Sequence, residues 1–218
     1  MHQNIEAIDY KEETEDIIRK FERKEDFVYY TSGSTGKPKK IVHSYELMKM
    51  VAEENCRYNN YAKHDYIVNM SLPAASIGYP VLSVLPALIS GCKLKVRAFN
   101  PYDYLDEIKE ATHAFILPAV YRVLKKTTKW ITFNFTGMTI SCGADIVPEG
   151  IKDDVLSKGA IKFHHLLTIY LISFIPALLL FIIKGNAPKF EALFFIIIPS
   201  FYLLFYVYQN QIFFPCPQ

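Results

Sequence analysis

The sequence predicts an α/β fold, a parallel sheet with flanking helices, followed by an apolar C-terminal helical hairpin. Two observations carry this prediction. Between residues 27 and 165, short β-branched and aromatic runs alternate with segments of helical character, which is the order that a parallel sheet requires. Beyond that region charge almost disappears, because residues 163–218 contain only Lys184, Lys189 and Glu191 as charged residues.

The chain is therefore expected to have three parts. Residues 1–26 form a short N-terminal segment, in which isoleucines spaced among many charges predict one or two amphipathic helices. Residues 27–165 form the α/β domain. Residues 166–218 form a hydrophobic tail. With 218 residues in total, the chain is long enough to bury one sizeable core beside such an appendage.

Individual elements follow from local composition. Runs of β-branched and aromatic residues predict strands at 27–30, 66–72, 93–96, 113–117, 133–141 and 161–165. Capping residues and prolines predict where helices begin. Helices are expected from Ser44 to about Asn55, over the proline-interrupted segment 78–90, after Asn100, from Pro118, and from Pro148 to about Ser157.

The tail contains two uncharged segments, residues 166–183 and 192–208. Each is near the lower length limit for a membrane-spanning helix, so the pair predicts a transmembrane hairpin, with buried core helices as the alternative. The predicted localisation is the membrane, with the α/β domain in the cytoplasm. If the tail is not inserted, the whole protein is expected to be soluble in the cytoplasm. The tail is either a genuine anchor or an out-of-frame or fused segment. Its dominance by Phe, Ile, Leu and Tyr favours the second origin.

Composition limits the partners and the compartment. The formal net charge of +2 is too small to indicate nucleic-acid binding, and none is expected. The cysteines have no C-x-x-C spacing, which is typical of free thiols in a reducing compartment. They are Cys56, Cys92, Cys142 and Cys216.

A polar loop, TSGSTGKPK at residues 31–39, follows the first predicted strand. Phosphate-binding loops need small residues that let backbone N–H groups approach the anion, together with hydroxyls and a cation, and this loop contains all three. It is not a Walker loop, because its glycines are too close together and Pro38 follows Lys37. The alternative is a flexible polar surface loop.

The stretch YYTSGSTGKPKKIVH resembles the signature loop of the adenylate-forming superfamily, which includes acyl-CoA synthetases and peptide-synthetase adenylation domains. Every position from Thr31 to Lys39 agrees with the family pattern. Weaker similarity continues through NMSLPAASIGYPVLSVLPALISGCKL, ATHAFILPAVYRVL and TISCGADIVPEGI. The resemblance covers about residues 27–165.

This resemblance implies the fold of the family's central α/β subdomain and an ATP-dependent ligase that activates a carboxylic acid as its adenylate. ATP and Mg²⁺ are the implied co-substrate and cofactor, and CoA or another thiol is an implied acceptor. It places Gly143 and Ala144 beside the adenine. The implied contacts to the β- and γ-phosphates come from Thr31, Ser32, Gly33, Ser34, Thr35, Gly36 and Lys39.

The sequence also departs from the family pattern. HHLLTIYLISF stands where the family has a Tyr-Gly-x-Thr-Glu segment that contacts phosphate and Mg²⁺, and Ala74, Ala75 and Ser76 stand where many members have an aromatic or His. We therefore expect weak ATP binding and incomplete activity, and assign no catalytic residue. The alternative function is a catalytically inactive, membrane-anchored nucleotide-binding or interaction protein.

Several other side chains are interpreted as structural. His43 is expected to cap or cover the start of the helix, and His113 to begin a strand. His164 and His165 are neighbours on a predicted strand, so they point to opposite faces and do not suit a shared metal site. Trp130 is expected to anchor a strand edge.

Overall fold

A computed structural model describes residues 2–31, 39–143 and 147–165. Its main feature is a six-stranded sheet in which every neighbouring pair of strands is parallel. The strands are β1 (Ile5–Ala7), β4 (Tyr66–Asn69), β5 (Lys93–Val96), β6 (His113–Phe115), β7 (Thr139–Cys142) and β8 (Lys162–His165). Two further strands, β2 (Phe27–Thr31) and β3 (Lys39–His43), form a separate antiparallel pair. The predicted α/β class with a parallel sheet is confirmed.

The strand order of the large sheet is β1-β5-β4-β6-β7-β8. From β4 the chain moves outward to β5, and it then crosses back to place β6 on the other side of β4. The direction of winding therefore reverses between β4 and β6. In open parallel sheets, ligands bind at the carboxyl ends of the strands near such a reversal.

Helices connect the strands. They are α1 (Lys11–Glu22), α2 (Tyr45–Asn59), α3 (Leu85–Ser90), α4 (Tyr104–Ile108), α5 (Pro118–Leu124), α6 (Thr128–Thr132) and α7 (Ile151–Ser157), and a π-helical segment, Pro80–Val84, leads directly into α3. The predicted cap of α2 is confirmed, because Ser44 Oγ accepts a hydrogen bond from the Leu47 N–H at 3.3 Å. The predicted start of α5 at Pro118 is also confirmed.

The structure differs from the predicted elements in several places. Ile5–Ala7 forms the edge strand β1 rather than part of a helix, and pairs in parallel with β5. The strand predicted at 133–141 is confined to Thr139–Cys142. α6 was not predicted, and it holds Trp130, whose indole N–H donates to Asp154 at 2.9 Å. The prediction of a strand-edge anchor is therefore wrong for Trp130. It is a buried residue of α6, and its partner Asp154 lies on α7.

Two hydrophobic clusters hold the domain together. The first joins α1, α2 and α3 to strands β1, β4 and β5, and includes Phe27 and Tyr79. The second joins α4, α5 and α7 to strands β6 and β7, and includes Tyr104 and Phe135. The sheet is therefore covered by helices on both faces, as parallel sheets generally are.

The predicted apolar tail, residues 166–218, lies outside the described residues. Within the described ranges, no helix is long and apolar enough to cross a bilayer. The division of the chain at residues 26 and 165 stays a prediction.

Candidate functional site

The glycine-containing loop is closed by a short hairpin. β2 and β3 pair in register from Phe27 opposite His43 to Thr31 opposite Lys39. The first and last residues of the predicted phosphate loop are therefore paired with each other across the ladder. Ser32, Gly33, Ser34, Thr35 and Gly36 lie outside the described residues. β3 itself was not predicted, since the loop was expected to pass directly into the helix.

The base of the hairpin is anchored in the core. Phe27 is 1% exposed and belongs to the first hydrophobic cluster. Asp26 precedes Phe27, and the Oδ1 atom of Asp26 accepts a hydrogen bond from the Tyr45 N–H at 3.2 Å. The ring of Tyr45 also lies 5.3 Å from that of Phe21 on α1. The hairpin is thus fixed to the ends of both α1 and α2.

A cleft of about 280 Å³ separates the hairpin from the segment that leaves β4. Tyr29 and Tyr30 of β2 line one side, and Ala74 and Ala75 line another. Helix α1 forms a third side, with two carboxylates, one ammonium group and one apolar side chain: Glu13, Asp16, Lys20 and Ile17. Because residues 70–76 follow the carboxyl end of β4, the hairpin lies at the edge of the sheet where parallel α/β domains bind ligands. Small alanine side chains leave this side of the cleft open.

Gly143 lies at the same edge, directly after Cys142 ends β7. It is buried, and the neighbouring strand connection is held by a hydrogen bond from the Ile116 N–H to the Ser141 carbonyl at 2.9 Å. Ala144, the other residue expected at the adenine, lies outside the described residues. The structure therefore brings Gly143 and the hairpin to one edge of the molecule and leaves Ala144 undescribed.

Asn69 organises the turn after β4, a role that the sequence analysis missed. Its side-chain Oδ1 accepts hydrogen bonds from the N–H groups of Ser71 and Leu72, at 3.2 and 2.9 Å. Its Nδ2 donates to Ser83 Oγ at 3.3 Å. Asn69 and its three partner residues are all buried. An amide residue at the end of an otherwise apolar strand is the signal that could have identified it.

The carbonyl of Phe115, at the end of β6, is held from two sides. The hydroxyls of Ser71 and Tyr104 both donate to it, each at 2.5 Å. These bonds link the turn after β4 to the turn after β6, at the point where the winding of the sheet reverses. They position the backbone at the candidate site and leave no hydroxyl of this pair directed at a ligand.

Burial keeps the aromatic and imidazole groups beside the hairpin uncharged at neutral pH. It raises the pKa of Tyr29 to about 12, and the nearby charge of Asp16 acts in the same direction. It also lowers the pKa of His43, whose ring lies 6.0 Å from that of Tyr29. Tyr29 and His43 therefore contribute no charge to this side of the molecule at neutral pH.

Among the residues that the structure describes, no three His, Cys, Asp or Glu side chains are grouped so that they could hold a metal ion. His164 is buried, and its Nδ1 lies 2.8 Å from Asn59 Oδ1. Burial raises the pKa of Cys142 to about 12, so its thiol stays protonated at neutral pH.

An open parallel α/β domain with a hairpin loop at its ligand-binding edge is the class that the fold and the site define. Residues 5–167 match the family model described as AMP-binding enzyme. This match covers most of the chain, and the chain belongs to the AMP-binding enzyme family. No protein with a curated description matches it.

Solved structures of adenylate-forming enzymes have a similar fold. One is the inhibitor-bound N-terminal domain of FACL13 from Mycobacterium tuberculosis, with 20% identity, a TM-score of 0.55, and coverage of 62% of this chain and 34% of that one. Another is ATP-bound MatB from Rhodopseudomonas palustris, with 18% identity, a TM-score of 0.51, and coverage of 61% and 26%.

A third similar structure is the adenylation domain of a keto acid-selecting NRPS module bound to keto acyl adenylate, with 19% identity and a TM-score of 0.56. The match covers 64% of this chain and 28% of that one. The matched regions thus amount to about a third or less of each of these three proteins. At these identities the likeness concerns the fold alone.

Proposed function

We propose that this protein binds ATP and activates a carboxylic acid as an acyl-adenylate. The observation that carries the proposal is the hairpin, whose register pairs Thr31 with Lys39 and so closes the family's signature loop at the carboxyl edge of a parallel sheet. Membership of the AMP-binding family supports the same assignment. For the substrates, the proposal names only chemical classes: a carboxylic acid, and CoA or another thiol as the acceptor.

The proposed chemistry is electrostatic. The substrate carboxylate attacks the α-phosphate of ATP, a carboxyl oxygen–phosphorus bond forms, and pyrophosphate leaves. Negative charge on the β- and γ-phosphates is stabilised by backbone N–H groups and hydroxyls of residues 31–36 and by the ammonium of Lys39. Gly143 and Ala144 are proposed to lie beside the adenine, since a glycine lets the backbone approach a flat ring closely.

Mg²⁺ is assigned no protein ligand in this proposal. Magnesium is usually bound through one or two carboxylates and the substrate's phosphates, and the described residues contain no metal-binding cluster. The metal is therefore given no part in the proposed step. The alternative of an inactive membrane-anchored protein is favoured by no observation in the described part of the chain.

ATP–pyrophosphate exchange over a panel of carboxylic acids tests the activity. We expect exchange with at least one acid, and we expect Lys39→Ala to reduce it by about a hundredfold, which is the scale of losing one donor to developing charge. Lys40→Ala is the matched control, because Lys40 is the next residue of β3 and is exposed. It should retain nearly full exchange.

Direct binding of ATP, measured calorimetrically with the same variants, separates the two parts of the proposal. ATP binding without exchange would leave the nucleotide site standing and remove the ligase activity. Absence of both, in protein that unfolds cooperatively, would contradict the proposed function. Equal losses in Lys39→Ala and Lys40→Ala would contradict the role given to the loop.

A further inference from the structure

A surface patch lies on the side of the domain formed by α5, α6 and the turn before α4. We define this α5–α6 patch by the apolar residues Tyr102, Val123 and Ile131, and by the cations Arg122, Lys125, Lys126, Lys129 and Lys158. Tyr102 is 78% exposed and Ile131 is 71% exposed. Single exposed apolar side chains are ordinary, whereas several on one surface mark a candidate interaction site.

The patch is continuous. Lys129 Nζ donates to the Tyr102 carbonyl at 3.0 Å, which places the exposed tyrosine beside α6. Lys158 Nζ donates to the Ile131 carbonyl at 2.9 Å, which places that lysine at the other end of the same helix. The ring of Tyr121 on α5 packs against that of Trp130 on α6, with centroids 5.4 Å apart, and so connects the two helices. Lys125 lies over the same tyrosine ring, 5.3 Å from its centroid.

Positive charge predominates in the patch. Asp106 pairs with Lys129 at 2.5 Å. Asp154 accepts hydrogen bonds from Tyr121 and Trp130, and its negative charge also acts on Lys125. Within the described part of the chain, Lys126 is exposed and forms no ion pair. The ammonium of Lys125 faces an aromatic ring rather than a carboxylate. Lys129 is thus paired with a carboxylate, whereas the ammonium groups of Lys125 and Lys158 contact a ring and a backbone carbonyl.

We propose that the α5–α6 patch docks the domain on an anionic lipid surface. Lysines at such a surface contribute attraction to headgroup phosphates, and the exposed apolar side chains between them enter the boundary with the acyl chains. Charge complementarity favours this partner, and the apolar residues distinguish it from a purely polyanionic one. Neither the proposed ligase activity nor the tail is needed for this inference.

Vesicle binding by the full chain tests the proposal. Partition into phosphatidylcholine vesicles is compared with partition into vesicles that also contain phosphatidylglycerol. An apolar tail would bind both kinds of vesicle. The informative quantity is therefore the ratio of the partition coefficient for anionic vesicles to that for neutral vesicles. We expect a preference for the anionic vesicles that falls with added salt, and a loss of about tenfold in that preference for Lys125→Glu/Lys126→Glu.

Lys11→Glu/Lys63→Glu is the matched control, because it makes the same change in net charge at exposed lysines outside the patch. It should keep the preference. Ile131→Ser, at an exposed site, should weaken binding to anionic vesicles several-fold. The proposal fails if both lysine pairs behave alike, if Ile131→Ser has no effect, or if duplex DNA is bound through the patch and anionic vesicles are not.

Discussion

At the scale of single residues, the turn after β4 depends on Asn69. Asn69→Ala would leave the buried N–H groups of Ser71 and Leu72 without their acceptor. We expect the free energy of unfolding to fall by about 2 kcal/mol, which is the typical cost of unsatisfied buried donors. Urea denaturation measures this difference.

Asn134→Ala is the control for that experiment. Asn134 Oδ1 accepts from the Thr136 N–H at 2.9 Å, which is a similar local bond, but both residues are exposed. Because water can replace the lost acceptor there, we expect a change within about 0.5 kcal/mol. If the two variants lost equal stability, burial would not be the reason for the importance of Asn69.

His164 makes the stability of the domain depend on pH. Burial lowers its pKa to about 4, and the positive charges of Lys162 and His113 act in the same direction. The unfolded chain binds this proton near pH 6.5, so between pH 6.5 and 4 it holds more protons than the folded state. Stability contributed by neutral His164 is therefore present above pH 6.5 and lost as pH falls, by at most about 3 kcal/mol.

His164→Gln should make the unfolding free energy depend less steeply on pH over that range. The change in slope should correspond to at most one bound proton. Glutamine can keep a hydrogen bond to Asn59 Oδ1, so folding at neutral pH is preserved. His64→Gln makes the same substitution at an exposed position and is the matched control. An unaltered slope in His164→Gln would show that His113 or His43, whose pKa values burial also lowers, accounts for the effect.

Residue roles differ in how far the sequence could predict them. Ser44 was recognisable because a cap depends on residues within one helical turn. His164 depends on a group far away in sequence, because its partner Asn59 is 105 residues away. Asn69 has local partners in Ser71 and Leu72, but its burial beside Ser83 depends on how the chain folds back after β4. Periodicity predicts that a residue is buried, but it does not identify the partner that satisfies its polar atoms.

At the scale of elements, the start of α2 couples the helix to the hairpin. Ser44 follows His43, the last residue of β3, and its Oγ accepts from the Leu47 N–H. We expect Ser44→Ala to lower the free energy of unfolding by about 1 kcal/mol, measured by thermal or urea denaturation. Ser44→Gly should cost only a few tenths of a kcal/mol, since glycine is tolerated at this position. The reverse order of the two variants would contradict a capping role.

The elements that were mispredicted have a common cause. KKIVH at 39–43 contains only a short apolar stretch, and it becomes a strand because β2 pairs with it. Ile5–Ala7 likewise becomes a strand because β5 offers a free edge. Strand formation depends on partners more than on intrinsic preference, so isolated three- to five-residue strands escape a reading of local composition.

At the scale of the whole molecule, the candidate site is assembled from three regions distant in sequence: the hairpin, the segment after β4 and Gly143 after β7. The family resemblance could predict which residues form the loop and the turn after β7, because the residues of each are contiguous. The contact of that turn with adenine stays a prediction. The resemblance could not predict that Phe115 would join the turns after β4 and β6, since that depends on the crossover of the chain between β5 and β6. In the proposed complex the nucleotide contacts both the two-stranded hairpin and the end of the inner strand β7, which differ in how readily they unfold locally.

Hydrogen exchange tests that arrangement over the entire domain. Amides of the inner strands β4, β6 and β7 should exchange slowly, because these strands are paired on both sides and buried. Amides of β2 and β3 should exchange faster, since a two-stranded ladder is only marginally stable by itself. ATP should slow exchange in β2, β3 and the segment around Gly143, and leave the edge strand β1 unchanged. Lys39→Ala should remove this ATP-dependent protection and Lys40→Ala should retain it, whereas protection confined to β1 and β5 would place the nucleotide elsewhere.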